Sequence, residues 1–198
     1  MTTKLPIAAL ALSLSALSPI ASAATYSNVS AITTAAAGTA WMNDSDFISA
    51  PGTVSSYVQA SPGTSAAANG ALWMLPTRVQ FDQQNVVTSA SGDDATATEA
   101  LNYEFTIDSD QIATLSSKHT LRLYWGNAPE AVSSMRLVNV ATGEVLVDDI
   151  FNTLSVRRYD IRLDAGTYAV EYTVDTSTVG AGGFQFNTGF GMRLAAGN

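Results

Sequence analysis

The stretch LSVRRYDIRLDAGTYAVEYTV, residues 154–174, decides the fold class of this chain. Its second half places alternate apolar side chains on one face, namely Tyr168, Val170, Tyr172 and Val174. A period of two is the pattern of a strand with one buried face. Gly166 accepts the backbone angles of a tight turn, so the stretch predicts a β-hairpin whose two strands turn their apolar faces to the same side.

The same alternation recurs along the rest of the chain between turn-forming segments. It is clearest over residues 101–107 and 119–125, and residues 132–150 predict a second hairpin around the turn Ala-Thr-Gly-Glu. Residues 108–115 suggest a single helical turn, and the alanines at 35–37 a shorter one that Gly38 ends. Short strands separated by turns at roughly ten-residue spacing predict an all-β protein. We expect a two-sheet antiparallel β-sandwich, jelly-roll-like, with eight or nine strands.

The N-terminal segment has the composition of a secretory signal peptide. Lys4 precedes an apolar run over residues 7–17, and Ala-Ser-Ala at 21–23 is a small-residue cleavage pattern. The run is shorter than the ~18 apolar residues of a membrane-spanning helix. We therefore expect residues 1–23 to be removed, and residues 24–198 to form one domain without a membrane span that is secreted, periplasmic or bound to the cell surface.

Composition excludes several kinds of chemistry. The absence of cysteine excludes disulfides, thiol catalysis and cysteine-ligated zinc. The single histidine, His119, gives little support to serine–histidine catalysis or to a transition-metal site. A formal net charge of −8 argues against a nucleic-acid partner, because phosphate binding needs clustered lysine and arginine.

Residues 163–170, LDAGTYAV, resemble the L-x-A-G-x-Y hairpin of bacterial extracellular β-sandwich domains. They are similar to the pre-peptidase C-terminal type and to some carbohydrate-binding modules. The resemblance implies an accessory or adhesive β-sandwich domain, and it implies no reaction. It carries over no functional residue.

Large aromatic residues near predicted turns and strand ends suggest carbohydrate binding. An exposed aromatic ring stacks on a sugar face, and polar side chains beside it bond the hydroxyls. The candidate ligand-binding residues are Trp41, Asn43, Trp73 and Tyr124. Trp125 shares a register with Leu121 and Leu123, so we expect it in the core.

Two acidic segments predicted to be loops offer the hard oxygen ligands that calcium prefers. The candidate metal ligands are Asp44, Asp46, Asp93 and Asp94. Glu99 follows the second pair in a segment predicted to be a loop. Neither segment has the full EF-hand pattern, and the first pair equally fits a helix cap or solvated acids. Calcium is the one cofactor that the sequence suggests.

Two further functions stay open beside binding to extracellular carbohydrate or matrix. Abundant small residues and only 13% charged residues suit a self-assembling surface or biofilm-matrix subunit, whose residues 24–38 would be exchanged between copies. A glycan-active enzyme would need two facing acids, and Glu104 and Glu171 are expected to face outward. The sequence therefore predicts an exported, non-enzymatic binding protein, with extracellular polysaccharide or itself as partner.

Overall fold

The computed structural model describes residues 23–38, 42–90, 93–152, 155–178 and 180–197. These ranges form β-strands and contain no helix, and therefore none that could cross a membrane. The strands are β1 (Thr25–Ala37), β2 (Met42–Ile48), β3 (Gly52–Ser61), β4 (Thr64–Leu75), β5 (Arg78–Ser89), β6 (Ala95–Ile107), β7 (Gln111–Gly126), β8 (Glu130–Asn139), β9 (Val145–Asn152), β10 (Arg157–Leu163), β11 (Gly166–Ser177) and β12 (Gly182–Ala196).

The strands form two six-stranded sheets packed face to face. Sheet 1 has the order β2-β1-β6-β11-β8-β9, and sheet 2 has the order β10-β7-β12-β5-β4-β3. Every pairing is antiparallel. The predicted all-β sandwich is confirmed. The count of eight or nine strands is wrong, because the described residues contain twelve.

The two predicted hairpins have different outcomes. Strands β8 and β9 pair with each other, so the hairpin predicted over residues 132–150 is confirmed. Strands β10 and β11 do not pair: β10 pairs with β7 in sheet 2, and β11 lies between β6 and β8 in sheet 1. The turn at residues 164–165 is therefore a crossover between sheets. Both strands turn their apolar side chains inward, but from opposite sides of the core.

The core lies between the inner faces of the two sheets. Inward-facing aromatic rings fill its centre, and Phe105 lies between Tyr103 and Tyr168 with ring centroids 6.2 and 5.5 Å apart. Residues buried from both sheets include Leu101, Tyr103, Phe105, Val170, Tyr172, Val79, Phe81, Leu115, Phe184, Phe186 and Phe190. Replacing one such aromatic residue by alanine lowers the free energy of unfolding by about 3–5 kcal/mol in cores of this kind. The apolar residues that alternate along the sequence are thus the ones that the two sheets bury together in one core.

Segments that the sequence analysis assigned to other structures are strands here. The helical turn predicted over residues 108–115 is wrong, since β7 begins at Gln111. Residues 24–38, considered as an exchangeable arm, contain β1, which pairs with β2 on one side and with β6 on the other. Glu99, predicted in a loop, is a fully buried residue of β6.

Candidate ligand-binding face

The outer face of sheet 2 presents a band of amide side chains. Because Phe81, Phe186 and Phe190 point into the core, the side chains one position before or after them on β5 and β12 lie on the outer face. Across the strands, Asn69 lies opposite Gln84, and Gln84 lies opposite Asn187. The band therefore crosses the sheet from β4 to β12.

Hydrogen bonds among these side chains fix their orientation. The Nε2 atoms of Gln84 and Gln185 donate to Oδ1 of Asn187 at 3.2 and 2.9 Å. The Tyr124 hydroxyl donates to Oε1 of Gln185 at 2.6 Å. An amide has two N–H donors and two acceptor lone pairs, so each of these side chains keeps hydrogen-bonding capacity for a ligand.

A second chain of hydrogen bonds runs along β5. Nη2 of Arg78 donates to Oε1 of Gln80 at 2.6 Å, and Nε2 of Gln80 donates to Oδ2 of Asp82 at 2.8 Å. These three residues alternate with buried ones, so they form a row on the same outer face. The row joins the amide band to a basic region at the start of β5.

A continuous depression follows these residues, and we call it the furrow. One end, about 670 Å³, is lined by residues that include Ser55, Asn69, Asp82, Gln84 and Asn187. The other end, about 750 Å³, is lined by residues that include Arg78, Thr114, Ser116, Arg158 and Arg193. A smaller depression between them has Gly189 and Gly191 of β12 in its lining. The missing side chains at these glycines deepen the middle of the furrow.

Exposed aromatic residues lie on the face that carries the furrow. Trp73 is 51% exposed, Tyr57 58% and Tyr124 45%. Trp73 lines a depression of about 230 Å³ with Leu75, Arg78 and Gln80. Such rings offer flat apolar surfaces beside a polar floor.

Trp125 is also exposed, at 43%, so its predicted burial is wrong. The pairing of β7 with β12 shifts register between Gly183 and Phe184, which breaks the alternation that Leu121 begins. The Trp125 indole lies against Gly183, where a Cβ would stand 2.6 Å from Nε1. A register shift of this kind cannot be read from an apolar pattern.

The sequence-predicted binding residues fall into three places. Trp73 and Tyr124 lie on the outer face of sheet 2. Asn43 lies on β2 of sheet 1, and Trp41 lies outside the described residues. Sequence reasoning missed Tyr57 and the amide band. The signal for the band was present in FQFNTGFG over residues 184–191, where three phenylalanines and a threonine alternate with two amides and two glycines.

The first pair of candidate calcium ligands lies on strand β2, so the predicted loop is wrong, and both aspartates contact the edge of sheet 2. Oδ2 of Asp44 accepts the Tyr57 N–H and Oδ2 of Asp46 accepts the Ser55 N–H, both at 2.9 Å. The backbone N–H groups of Ser55 and Phe47 lower the pKa of Asp46. These aspartates therefore satisfy edge donors of β3 that no neighbouring strand pairs.

The second pair, Asp93 and Asp94, immediately precedes β6, and the Asp94 carbonyl accepts the Gly38 N–H at 2.8 Å. Within the described ranges, no three histidine, aspartate or glutamate side chains group closely enough to hold a metal ion. Calcium binding stays a prediction.

A serine–histidine contact lies inside the sandwich. The Ser117 hydroxyl is 2.7 Å from Nε2 of His119 and 2.8 Å from the Tyr172 hydroxyl. All three residues are buried, which separates them from solvent and from any substrate. Burial, with a smaller contribution from Arg157, lowers the pKa of His119 to about 4, so the imidazole is neutral at pH 7.

Other acidic groups occupy positions that differ in exposure. Burial raises the pKa of the Glu99 carboxyl well above its ordinary value. Glu104 and Glu171 lie on the outer face of sheet 1, as predicted, and Glu171 pairs with Arg136 at 3.4 Å.

Comparison with known proteins gives remote structural neighbours. No family model matches the chain, and no curated protein matches it. The carbohydrate-binding module TmCBM61 in complex with β-1,4-galactotriose has 12% identity and a TM-score of 0.26, over 72% of this chain and 82% of that one. The CBM22-1 xylan-binding domain from Paenibacillus barcinonensis Xyn10C has 9% identity and a TM-score of 0.25, over 74% of this chain and 88% of that one.

A structure of infectious bursal disease virus, Gx strain, has 9% identity and a TM-score of 0.33, over 90% of this chain and 59% of that one. Two of these three neighbours are carbohydrate-binding modules, one of the types that residues 163–170 resemble. With TM-scores below 0.5, none of the three assigns a family or a ligand to this chain.

Proposed function

We propose that this protein binds a carbohydrate outside the cytoplasm and that the furrow on sheet 2 holds the sugar chain. The observation that carries the proposal is the interlocked amide band, in which Gln84, Gln185 and Asn187 hold one another in place beside a glycine floor. A sugar presents hydroxyls that both donate and accept hydrogen bonds. Amides do the same, and their fixed orientation reduces the entropy lost on binding.

The aromatic residues complete the match to a sugar. Pyranose rings have apolar C–H faces, and aromatic rings combine a flat apolar surface with few rotatable bonds. Trp73 and Tyr124 lie towards opposite ends of the furrow. On β12, Gln185 accepts the hydrogen bond of Tyr124. Six residues further along β12, Gly191 lies opposite Gln80 of β5, and Gln80 lies opposite Trp73 of β4. At ~3.3 Å per residue this is about 20 Å, a length that suits an oligosaccharide.

The charges of the lining favour binding over hydrolysis. Among the described residues, Asp82 is the one carboxylate that lines the furrow. Glycoside hydrolysis by the common mechanisms needs a pair of carboxyl groups across the scissile bond. A polysaccharide in this furrow would therefore be held without being cut. Export follows from the predicted signal peptide.

Affinity electrophoresis against a panel of soluble polysaccharides, followed by calorimetry on the best ligand, tests this function. Asn187→Leu removes the amide at the centre of the band and keeps the number and branching of the side-chain heavy atoms. We expect it to weaken binding by about tenfold or more, since the network around it collapses with it.

The matched control is Asn102→Leu, which replaces an amide on the outer face of sheet 1. It should bind as the wild type does. The proposal fails if no polysaccharide binds, or if the two leucine variants lose affinity equally.

A further inference from the structure

The charges of this acidic protein are divided between its two outer faces. On the described strands, the outer face of sheet 2 carries six basic side chains and two acidic ones: Arg78, Lys118, Arg122, Arg158, Arg162 and Arg193 against Asp82 and Asp160. The outer face of sheet 1 carries one basic side chain and five acidic ones: Arg136 against Glu104, Glu130, Asp148, Glu171 and Asp175. The furrow thus lies on a basic face of a chain whose net charge is −8.

Several cations on the furrow face have no carboxylate partner. Arg158 pairs with Asp160 at 3.2 Å, and Arg162 pairs with Asp110 at 3.7 Å. Within the described part of the chain, no carboxylate lies at ion-pair distance from the other four basic residues, which are Arg78, Lys118, Arg122 and Arg193.

Two of these unpaired cations face each other. Arg78 on β5 and Arg193 on β12 are direct cross-strand partners on the same outer face. Like charges at such positions destabilise a sheet. Arg158 lines the same 750 Å³ depression, together with the hydroxyl-bearing residues Thr114 and Ser116. With Thr77, three guanidinium groups and three hydroxyl-bearing residues line one concave space, and an anion placed there would remove the repulsion.

We propose that this basic end of the furrow binds the carboxylate groups of an acidic polysaccharide, so that the glycan is a uronate-bearing chain; this rests on the proposed function. The three cations that line the depression are all arginine. A guanidinium group matches a planar carboxylate with two parallel hydrogen bonds, which an ammonium group does not. The amide band at the other end of the furrow binds the neutral hydroxyls of the same chain.

The overall charge distribution separates this ligand from a nucleic acid. A polynucleotide is bound chiefly through its dense phosphates, which favours a protein with many clustered cations. This chain has a net charge of −8, and an acidic sheet 1 lies behind the basic face. A uronate chain carries its charge on hydroxyl-rich rings, so it uses the arginines and the amides together.

The test compares polygalacturonate with the same polymer after reduction of its carboxyl groups, in buffer with chelator at 50 and 300 mM NaCl. The wild type is expected to bind the charged polymer about tenfold or more tightly than the neutral one. At 300 mM NaCl the difference between the two affinities should be smaller than at 50 mM. The double variant Arg78→Gln/Arg193→Gln should lose that preference while its affinity for the neutral polymer changes less than about twofold. Arg136→Gln, on the outer face of sheet 1, is the matched control.

Other outcomes overturn the inference in distinguishable ways. If the double variant keeps the preference, or if single-stranded polythymidylate binds the same arginines more tightly than polygalacturonate, the acidic polysaccharide is wrong. If the wild type binds the neutral polymer as tightly as the charged one, and Asn187→Leu weakens both, the proposed function stands and the uronate assignment fails. If neither polymer binds, the uronate assignment fails, and the proposed function fails with it only when no other polysaccharide of the panel binds.

Discussion

On the outer face of sheet 1, the central strands β6 and β11 present mainly threonine, alanine and acidic residues, with one asparagine. On sheet 2 the central strands β5 and β12 present mainly glutamine, asparagine, arginine and glycine, with one aspartate. Both pairs lie in the middle of six antiparallel strands. The inner faces of both carry large buried apolar residues such as Tyr172 and Phe190, whose rings lie 5.0 Å apart across the core.

The difference between the faces shows where this fold leaves freedom for function. An inward residue must fill a shared volume, so both sheets converge on aromatic and aliphatic side chains there. An outward residue has no such constraint. The acidic, threonine-rich face of sheet 1 and the basic, amide-rich face of sheet 2 are thus independent surfaces on one scaffold, and the two can be altered separately.

The largest expected effect comes from filling the furrow. A Cβ added at Gly191 would lie 3.2 Å from Oγ of Ser116, so the side chain of Gly191→Leu must rise into the furrow. We expect about a hundredfold loss of polysaccharide affinity, because the leucine occupies the space of the ligand. Calorimetry measures the affinity, and circular dichroism reports whether the fold is kept.

Ala169→Leu adds comparable bulk to the outer face of sheet 1 and serves as the control. Equal losses of affinity in the two variants would show that the faces are not independent.

A smaller effect is expected from removing one aromatic ring. Trp73→Ala deletes a half-exposed indole beside the furrow and should weaken sugar binding by about tenfold, in line with aromatic stacking of 1–3 kcal/mol on other planar ligands. Phe47→Ala deletes a similarly exposed ring from β2 of sheet 1 and should leave binding unchanged. Calorimetry measures the affinity, and equal affinities for the wild type and both variants would remove Trp73 from the site.

The smallest expected effect on binding comes from replacing a buried residue, Glu99, whose main effect is on the pH dependence of stability. Glu99 is buried, so the folded state holds its proton at pH values where the unfolded chain, with a pKa near 4.5, has lost it. The free energy of unfolding therefore falls as pH rises above about 4.5, by up to about 1.4 kcal/mol per pH unit, until the raised pKa is reached. Glu99→Gln should abolish this fall. Glutamine keeps an acceptor oxygen for the backbone N–H groups of Asn69 and Gln84, so furrow affinity at a fixed pH should change less than about twofold.

Denaturant unfolding from pH 4.5 to 8 measures this effect. His119 acts in the opposite sense over part of the range, because its pKa of about 4 makes stability increase as pH rises towards 6.5. The difference between the Glu99→Gln variant and the wild type cancels the histidine contribution. Parallel profiles for the two proteins would contradict a protonated Glu99.

Much of the fold was readable from local pattern. Alternation identified β6, β7 and β11 as strands and Gly-containing turns identified the β8–β9 hairpin, because both signals act over a few neighbouring residues. The same signals misassigned the β10–β11 connection and the position of Trp125. A period of two says which side of a strand is buried. It does not say which strand lies beside it or where a register shift interrupts it.

The candidate site was less readable than the fold. Trp73 and Tyr124 stood out as large aromatic residues, but Asn43, chosen with them, lies on the other sheet. Gln84 and Asn187 are 103 positions apart in the chain and meet only because β5 and β12 pair. Arg78 and Arg193 become neighbours for the same reason, so no local sequence pattern could predict that this acidic chain has a basic face.

By itself, the sequence determined that this protein is an all-β sandwich, because each strand carries its own buried and exposed sides in a local pattern. Only the tertiary structure decided which exposed sides share a face. Strand pairing over long sequence separation is set by packing in a common core, and that pairing brought together the amides, glycines and arginines of the furrow.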